Sequence, residues 1–269
     1  TTTLRESPAH EACPSGFHSP LRPAVLLEVF IAALISDLAT GLGALPFLFM
    51  DRVSPRWNGI AGAAASGMML SASVFALADK ALHRGGALPV IAGMLAGAAF
   101  FAWAAAFIEK QHWRLGDWSE HDSRKSILLI GTMFIHSVPE GIAIGVGYAT
   151  GEIKFGLLLA AAISIHNIPE GTAVSLPLRA KGASVWRCAL YAIFTSVPQP
   201  LLAVPAFLLT SFFQPLVAPS LGFAGGAMIF LVMSELIPES LQSCSRTETA
   251  WSTTIGLVER HHGTGLCFE

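Results

Sequence analysis

Long apolar segments alternate with short polar connections along most of the chain. Crossing the hydrocarbon core of a bilayer, about 30 Å thick, takes a helix of about 20 mostly apolar residues. Segments of this length occur at 24–50, 59–83, 87–108, 126–149, 156–178, 185–211 and 217–241. The pattern therefore predicts an all-α fold, a polytopic transmembrane helix bundle with seven clear spans.

The connections between these segments differ in their content of basic residues. Connections after odd-numbered spans contain nine Lys and Arg residues, whereas connections after even-numbered spans contain only Lys80, Arg84 and Lys154. Because basic connections favour the cytoplasmic side, the odd connections are predicted to be cytoplasmic and the N-terminus outside. The nine are Arg52, Arg56, Lys110, Arg114, Arg124, Lys125, Arg179, Lys181 and Arg187.

The two ends of the chain do not follow the repeating pattern. Residues 1–23 are expected to form an extracytoplasmic tail, followed by a transmembrane domain at 24–241. An even-numbered bundle would cross the membrane once more after Glu239, but the only apolar run there is the short Ile255 to Val258. We therefore expect a C-terminal tail at 242–269 in which the eighth span is doubtful, either degraded or missing.

The composition supports membrane insertion and excludes other classes. Charged residues make up 13 % of the chain, against roughly 25 % in soluble domains. The net charge is −2 and no long basic run occurs, so a nucleic-acid partner is not expected. The four cysteines are scattered without a CxxC pair, which fits neither a zinc ribbon nor a disulfide scaffold.

Two near-copies of one motif lie within consecutive apolar segments. "HSVPEG" begins at His136, and "HNIPEG" begins at His166. Residues four apart share a face of a helix, so each motif presents one imidazole and one carboxylate, Glu140 or Glu170, on the same side. Consecutive spans with a short loop run antiparallel, so the two motifs are predicted to face each other near the middle of the membrane.

This arrangement of side chains suits a metal ion. Two glutamates at the bilayer centre are costly unless they are protonated or paired with a cation. Two neutral histidines and two carboxylates carry a charge of −2, which one divalent ion balances, and these ligands suit zinc, iron, manganese or nickel. Packing with a single hydrogen bond would explain one such motif, and a proton relay is a further alternative, but the duplicated set favours metal.

The two motifs, together with "ATGLGALPF" in the first span, resemble the ZIP (Zrt/Irt-like) metal transporters, and the GufA branch most. The resemblance covers roughly residues 24–241. It implies an eight-helix fold, a homodimer in many members, and transport of divalent metal towards the cytoplasm, either from outside or from an organelle lumen. It also implies an integral protein of the plasma (inner) membrane that is a transporter and not an enzyme, with zinc as the favoured substrate and cadmium, iron or manganese as alternatives.

The resemblance also implies a set of metal-site residues. His136 and Glu140 match ligands of the fourth span, and His166, Asn167 and Glu170 match those of the fifth. Met69 matches a methionine at the transport site of the GufA branch, although an apolar packing role would explain it equally well. Ser137 and Gln199 occupy the remaining positions of the predicted site.

Ser137 and Gln199 also depart from the family pattern, which commonly has asparagine and glutamate at these positions. Because Ser137, Asn167 and Gln199 are uncharged, we expect one firmly held ion where relatives with acidic residues hold two. The doubtful eighth span keeps open a second function, a transport-inactive metal-sensing or partner membrane protein. An intramembrane metalloenzyme is less well supported, because no HExxH motif occurs.

Overall fold

The structure, a computed structural model, describes residues 23–50, 54–110 and 120–264, and in the last range the side chains of 130–258. The predicted N-terminal tail thus lies outside the described residues except for Pro23. Every regular element in the described ranges is helical, which confirms the predicted all-α bundle. We number the long helices α1 (Pro23–Leu42), α2 (Pro55–Gly85), α3 (Ala87–Lys110), α4 (Glu120–Ala149), α5 (Ile153–Ala180), α6 (Val185–Phe212), α7 (Gln214–Ser243) and α8 (Arg246–Thr264).

Three of these helices change their winding within the bundle. α2 contains a π-helical stretch at Ala72–Ala78, and α7 contains one at Val232–Leu236 after a short 3₁₀ start at Gln214–Leu216. α6 is interrupted at Val197, just before Pro198, because proline cannot donate the backbone hydrogen bond that would continue the helix. A separate 3₁₀ turn, Leu45–Leu48, follows α1.

Six helices of the described residues are long and apolar enough to cross a membrane: α1 with its 3₁₀ turn, α2, α3, α5, α6 and α7. The remaining predicted span, 126–149, lies within the 30-residue helix α4. α8 occupies the segment for which we expected a doubtful eighth span. α8 is helical, but among the described residues it is not one of the six helices that are long and apolar enough to cross a membrane. The doubtful eighth crossing therefore stays a prediction.

Short connections fix the alternation of helix directions. The turns after α2, α4 and α5 contain Gly86, Gly151 and Gly182, whose φ angles are 75°, 83° and 84°. Left-handed backbone of this kind carries no steric cost for glycine, so the chain can reverse within a few residues. The helices that these three turns join therefore run antiparallel, as a bundle with short loops requires.

Helices that are not consecutive pack in parallel pairs. Ser36 and Thr40 of α1 meet Asn167 and Gly171 of α5, so residue numbers rise in the same direction on both helices. Three further helix pairs are parallel for the same reason. α4 contacts α6 at Gly141–Gln199 and again at Gly145–Ala203, and α3 contacts α7 at Gly93–Pro219 and Gly97–Phe223. α2 contacts α8 at Arg56–Glu248 and Gly67–Leu257. Each pair joins two odd or two even helices, as a chain that alternates sides requires.

The start of α8 has a sequence signal that hydropathy does not reveal. In "SRTE", the Ser245 hydroxyl accepts a hydrogen bond from the Glu248 backbone at 3.3 Å, and the Ser245 backbone donates to the Glu248 carboxylate at 2.9 Å. This reciprocal pattern is a capping box. These bonds and the neighbouring Arg56 lower the pKa of Glu248 to about 2. Further along α8, Trp251, Ile255 and Val258 are exposed on one face.

Candidate metal centre

The two motifs meet in the antiparallel pair α4–α5, through crossed contacts between the helices. His136 Nε2 of α4 lies 3.2 Å from Glu170 Oε1 of α5, and His166 Nε2 of α5 lies 2.9 Å from Glu140 Oε1 of α4. The pair within one helix is more distant, since His136 Nε2 and Glu140 Oε1 are 3.9 Å apart. The antiparallel register thus places the histidine of each motif beside the glutamate of the other.

All four side chains are removed from solvent. His136, Glu140 and His166 are at most 1 % exposed, and Glu170 is 6 % exposed. His136, Glu140 and Glu170 each offer a ligand atom, and these atoms all lie within 4.8 Å of one another. His166 Nε2 adds a fourth nitrogen or oxygen donor through its contact with Glu140. Two carboxylates in so dry a position need a compensating positive charge.

Several polar atoms of this cluster have no hydrogen-bond partner among the described residues. These atoms are both ring nitrogens of His136, Nδ1 of His166 and Oε1 of Glu170. His136 Nε2 and Glu170 Oε1 are therefore close to each other without the geometry of a hydrogen bond. Buried polar groups are normally satisfied, so unsatisfied ones call for an explanation such as an ion. The donor set, two imidazoles and two carboxylates, is one that binds zinc and similar metals.

The glycine that ends each motif brings a neighbouring helix close to the cluster. A Cβ atom on Gly141 would lie 2.7 Å from the backbone oxygen of Gln199 on α6. A Cβ atom on Gly171 would collide with the backbone oxygen of Thr40 on α1. Glycine at these positions therefore lets α6 and α1 pack against the two glutamate-bearing turns. Neither glycine was among the predicted site residues, although their matching place in both motifs was a visible signal.

Asn167 and Gln199 extend the polar cluster towards α1 and α6. Gln199 Nε2 donates to Glu140 Oε2 at 2.7 Å, and Asn167 Nδ2 lies 3.3 Å from Gln199 Oε1. Asn167 Nδ2 also donates to the backbone oxygen of Ser36 at 2.9 Å. Ser36 was not among the predicted site residues, since no motif marks it.

Ser137 and Met69, the other two candidate residues, are buried but take no part in the polar contacts described above. The Ser137 hydroxyl donates to the backbone oxygen of Met133 one turn earlier in α4, at 3.3 Å. Met69 is fully buried in α2, three residues before the π-helical stretch. Within the described part of the chain, neither side chain forms a hydrogen bond or ion pair with the two histidines or the two glutamates. Their place in the site rests on the family resemblance.

A small cavity lies next to Glu170 and not next to Glu140. Its volume is about 30 Å³, enough for one or two water molecules. Pro169, Glu170 and Ala173 of α5 form one wall, and Asn58 and Glu239 lie among its other lining residues. The cavity therefore connects the carboxylate of the second motif with the start of α2 and the end of α7.

Comparison with known proteins supports a transport function for this bundle. The family model described as ZIP Zinc transporter matches residues 109–258. A longer relative from Arabidopsis thaliana is 40 % identical over 233 residues, which cover 86 % of this chain but only 37 % of that protein.

Two bacterial relatives match over more of their own length. The zinc transporter GufA of Myxococcus xanthus is 34 % identical over 244 residues, covering 85 % of this chain and 96 % of GufA. The zinc transporter ZIPB of Bordetella bronchiseptica is 36 % identical over 231 residues, which cover 82 % of this chain and 74 % of ZIPB. These relatives are named as transporters and not as enzymes, and the match confirms the predicted family. The chain belongs to the ZIP zinc transporter family.

Proposed function

We propose that this protein carries a divalent transition metal ion through a site near the middle of the membrane. Zinc is the favoured ion, and cadmium, iron and manganese are the alternatives. The ligands are His136, Glu140, His166 and Glu170. The observation that carries the proposal is the crossed pairing of these residues between α4 and α5, with buried ring nitrogens that lack any other partner among the described residues. With both histidines neutral, the site carries a charge of −2, which one divalent ion neutralises.

The spacing of the donor atoms fits a small tetrahedral ion. Bonds of about 2.0 Å from zinc to nitrogen or oxygen place neighbouring ligand atoms about 3.3 Å apart. Three of the donor pairs are 2.9, 3.2 and 3.9 Å apart, and the ligand atoms of His136, Glu140 and Glu170 lie within 4.8 Å of one another, so these three side chains are close to the required spacing and His166 would join them from its contact with Glu140. Asn167 and Gln199 contact this set from one side, and Met69 and Ser137 are proposed to border it.

The cavity beside Glu170 supports release towards the cytoplasm. It is lined by residues at the start of α2 and at the end of α7, and the distribution of basic residues assigns both ends to the cytoplasmic side. An ion at the four-residue site would leave along Glu170 and Glu239. We propose alternating access, in which helices move to open the site to one side at a time.

The membrane and assembly of the protein complete the proposal. The family resemblance supports a location in the plasma (inner) membrane and a homodimer, and the basic-residue pattern supports an N-terminus outside. The orientation can be tested by attaching a reporter to the N-terminus and measuring its accessibility in intact cells. A reporter that is accessible only after the membrane is opened would contradict the orientation.

The central experiment measures zinc uptake into sealed vesicles that contain the purified protein. Replacing both histidines, His136→Ala with His166→Ala, should abolish uptake because only the two carboxylates would then remain of the four ligands. The matched control is His83→Ala, since His83 is exposed on α2 away from the cluster and its loss should leave uptake unchanged. Uptake at the parental rate by the double variant, at equal protein content, would falsify the assignment. Competition with cadmium, iron and manganese then ranks the substrates.

A further inference from the structure

A cluster of charged side chains joins the end of α2 to the turn between the two motif-bearing helices. Lys80 Nζ of α2 lies 2.6 Å from both carboxylate oxygens of Glu152, in the turn between α4 and α5. Arg84, one turn further along α2, donates to the backbone oxygen of Thr150 and lies 3.6 Å from Glu152 Oε1. Two cations of α2 therefore hold the turn from which both ligand-bearing helices extend.

This charged cluster is supported by an aromatic ring. The side chain of Lys80 is only 19 % exposed, and its ammonium group lies 5.3 Å from the centroid of the Phe155 ring, within cation–π range. Phe155 itself is buried at the start of α5. A single exposed ion pair contributes little to stability, whereas several charges in one network contribute more. Such a network can favour one conformation and still open.

Packed apolar side chains separate this turn from the metal centre. On α4, Ala143 and Ile144 lie between Glu140 and the turn. On α5, Leu159 and Ile163 lie between the turn and the second motif. All four apolar side chains are at most 2 % exposed. An ion that enters from the side of the turn must therefore pass between helices that are packed together beneath the charged cluster.

The cavity beside Glu170 lies towards the other end of α2. Its lining includes Asn58 and Gly62 near the start of that helix, whereas Lys80 and Arg84 lie near the end. One end of α2 thus borders a space next to a metal ligand, and the other end is tied to the α4–α5 turn above packed side chains. A carrier whose site is accessible from one side at a time needs such a difference between its two ends.

We propose that Lys80, Arg84 and Glu152 form a latch that closes the metal site on the side of the α4–α5 turn and must open in every transport cycle. The proposal rests on the carrier function proposed above. Because the turn connects both ligand-bearing helices, its release lets α4 and α5 move away from the end of α2 together. The basic-residue pattern makes this side extracytoplasmic, so the latch controls entry of the ion.

A reversible cross-link tests whether the latch must open. In the full-length chain, Lys80→Cys with Glu152→Cys places one thiol on each side of the latch, and Cys244→Ser removes a partly exposed native thiol. A short bis-methanethiosulfonate linker should reduce zinc uptake into sealed vesicles to background, and a reductant should restore the rate of the unlinked variant. Zinc binding measured by calorimetry in detergent should persist, because no ligand is altered and the cavity side stays open.

The matched control cross-links a second ion pair of α2. Arg56→Cys with Glu248→Cys, in the same Cys244→Ser chain, joins α2 to α8, and neither helix carries one of the four ligands. The same linker should leave uptake unchanged there. The remaining native cysteines are common to both pairs, so they cannot cause a difference. Unchanged uptake after complete linking of positions 80 and 152 would overturn the latch.

A charge exchange tests whether electrostatic attraction keeps the latch closed. Glu152→Lys adds a third cation to the cluster and should slow uptake about fivefold, because a carrier that seldom closes on this side seldom completes its cycle. Lys80→Glu combined with Glu152→Lys should restore most of the rate. An unchanged rate in Glu152→Lys, or a combined variant that is equally slow, would overturn the latch. No bound zinc on the folded parent chain would instead contradict the proposed transport site.

Discussion

The two motifs are near-copies in sequence, but their glutamates have different surroundings. Glu140 is fully buried, with His166 at one oxygen and Gln199 at the other. Glu170 has its ion-pair contact with His136 among the described residues, its Oε1 lacks a hydrogen bond, and it lines a cavity of about 30 Å³. Glu140 is thus held in place by its neighbours, whereas Glu170 borders the cavity that we propose as the exchange route. On that proposal, the duplicated motif provides one fixed ligand and one ligand for exchange.

Ser137 and Asn167, the second residues of the two motifs, also differ in their hydrogen-bond partners. Ser137 donates to the backbone of its own helix, at 3.3 Å from the Met133 oxygen. Asn167 instead reaches two other helices, through the Ser36 oxygen on α1 and Gln199 Oε1 on α6. Asn167 belongs to the motif on α5, but the hydrogen bonds that it starts lead to the glutamate on α4. The two motifs are therefore linked by more than their crossed histidine contacts.

The largest effects are expected from Glu140→Ala and Glu170→Ala. Each removes a ligand, and each should weaken zinc binding on the order of 100-fold or more, about 2.7 kcal/mol. Only Glu140→Ala leaves two buried groups, Gln199 Nε2 and His166 Nε2, without their acceptor. It should therefore also lower the stability of the metal-free protein, by about 2 kcal/mol relative to Glu170→Ala.

Calorimetry gives the zinc affinity of these variants, and denaturant unfolding of the metal-free proteins gives their stability. Glu28→Ala serves as a control because Glu28 is exposed on α1. Equal losses of metal-free stability in Glu140→Ala and Glu170→Ala would contradict the contrast between a fixed and an exchanging ligand.

An intermediate effect is expected at the second motif position. Asn167→Ala leaves Oε1 of Gln199 without its donor and removes the additional hydrogen bond that the Ser36 backbone oxygen of α1 accepts, and should cost about 2 kcal/mol of stability. Ser137→Ala removes only a hydrogen bond to the preceding turn, and alanine is the better helix former, so its effect should stay within about 0.5 kcal/mol. Unfolding measurements on both variants decide this point. A larger loss in Ser137→Ala than in Asn167→Ala would reverse the comparison.

Sequence alone could predict the histidine and glutamate cluster because its geometry is local. The four-residue spacing sets one face of each helix, and the short turn at Gly151 makes α4 and α5 antiparallel, so the motifs come to the same depth. The bundle of apolar helices was predictable for the same reason. Hydropathy described α8 less well, because its start is marked by the capping box of Ser245 and Glu248 and not by an apolar run.

The asymmetry of the site could not be predicted in this way. Gln199 reaches Glu140 only because α6 packs in parallel on α4 at Gly141, a contact between residues far apart along the chain. Ser36 has no motif, and its role comes from the parallel packing of α1 on α5 at Thr40 and Gly171. The cavity beside Glu170 is likewise formed by several helices. Such features depend on which distant helices become neighbours, and the periodicity of a single helix does not specify this.

A smaller effect than that of losing a ligand or Asn167 is expected from filling the cavity beside Glu170 with Ala173→Leu. The larger side chain would occupy space that now joins Glu170 to Glu239, without removing any ligand atom. Zinc affinity should stay unchanged, while uptake into vesicles should slow about tenfold, equivalent to a barrier increase of about 1.4 kcal/mol.

The matched control is Ala206→Leu, in a larger apolar cavity of about 580 Å³ between α3, α4, α6 and α7 that does not include the site residues. Because both variants add the same volume, slow uptake in Ala173→Leu alone would identify the Glu170 side as the exchange route. Equal rates in the two variants would mean that the ion leaves by another path, and the difference between the two motifs would then concern structure and not transport.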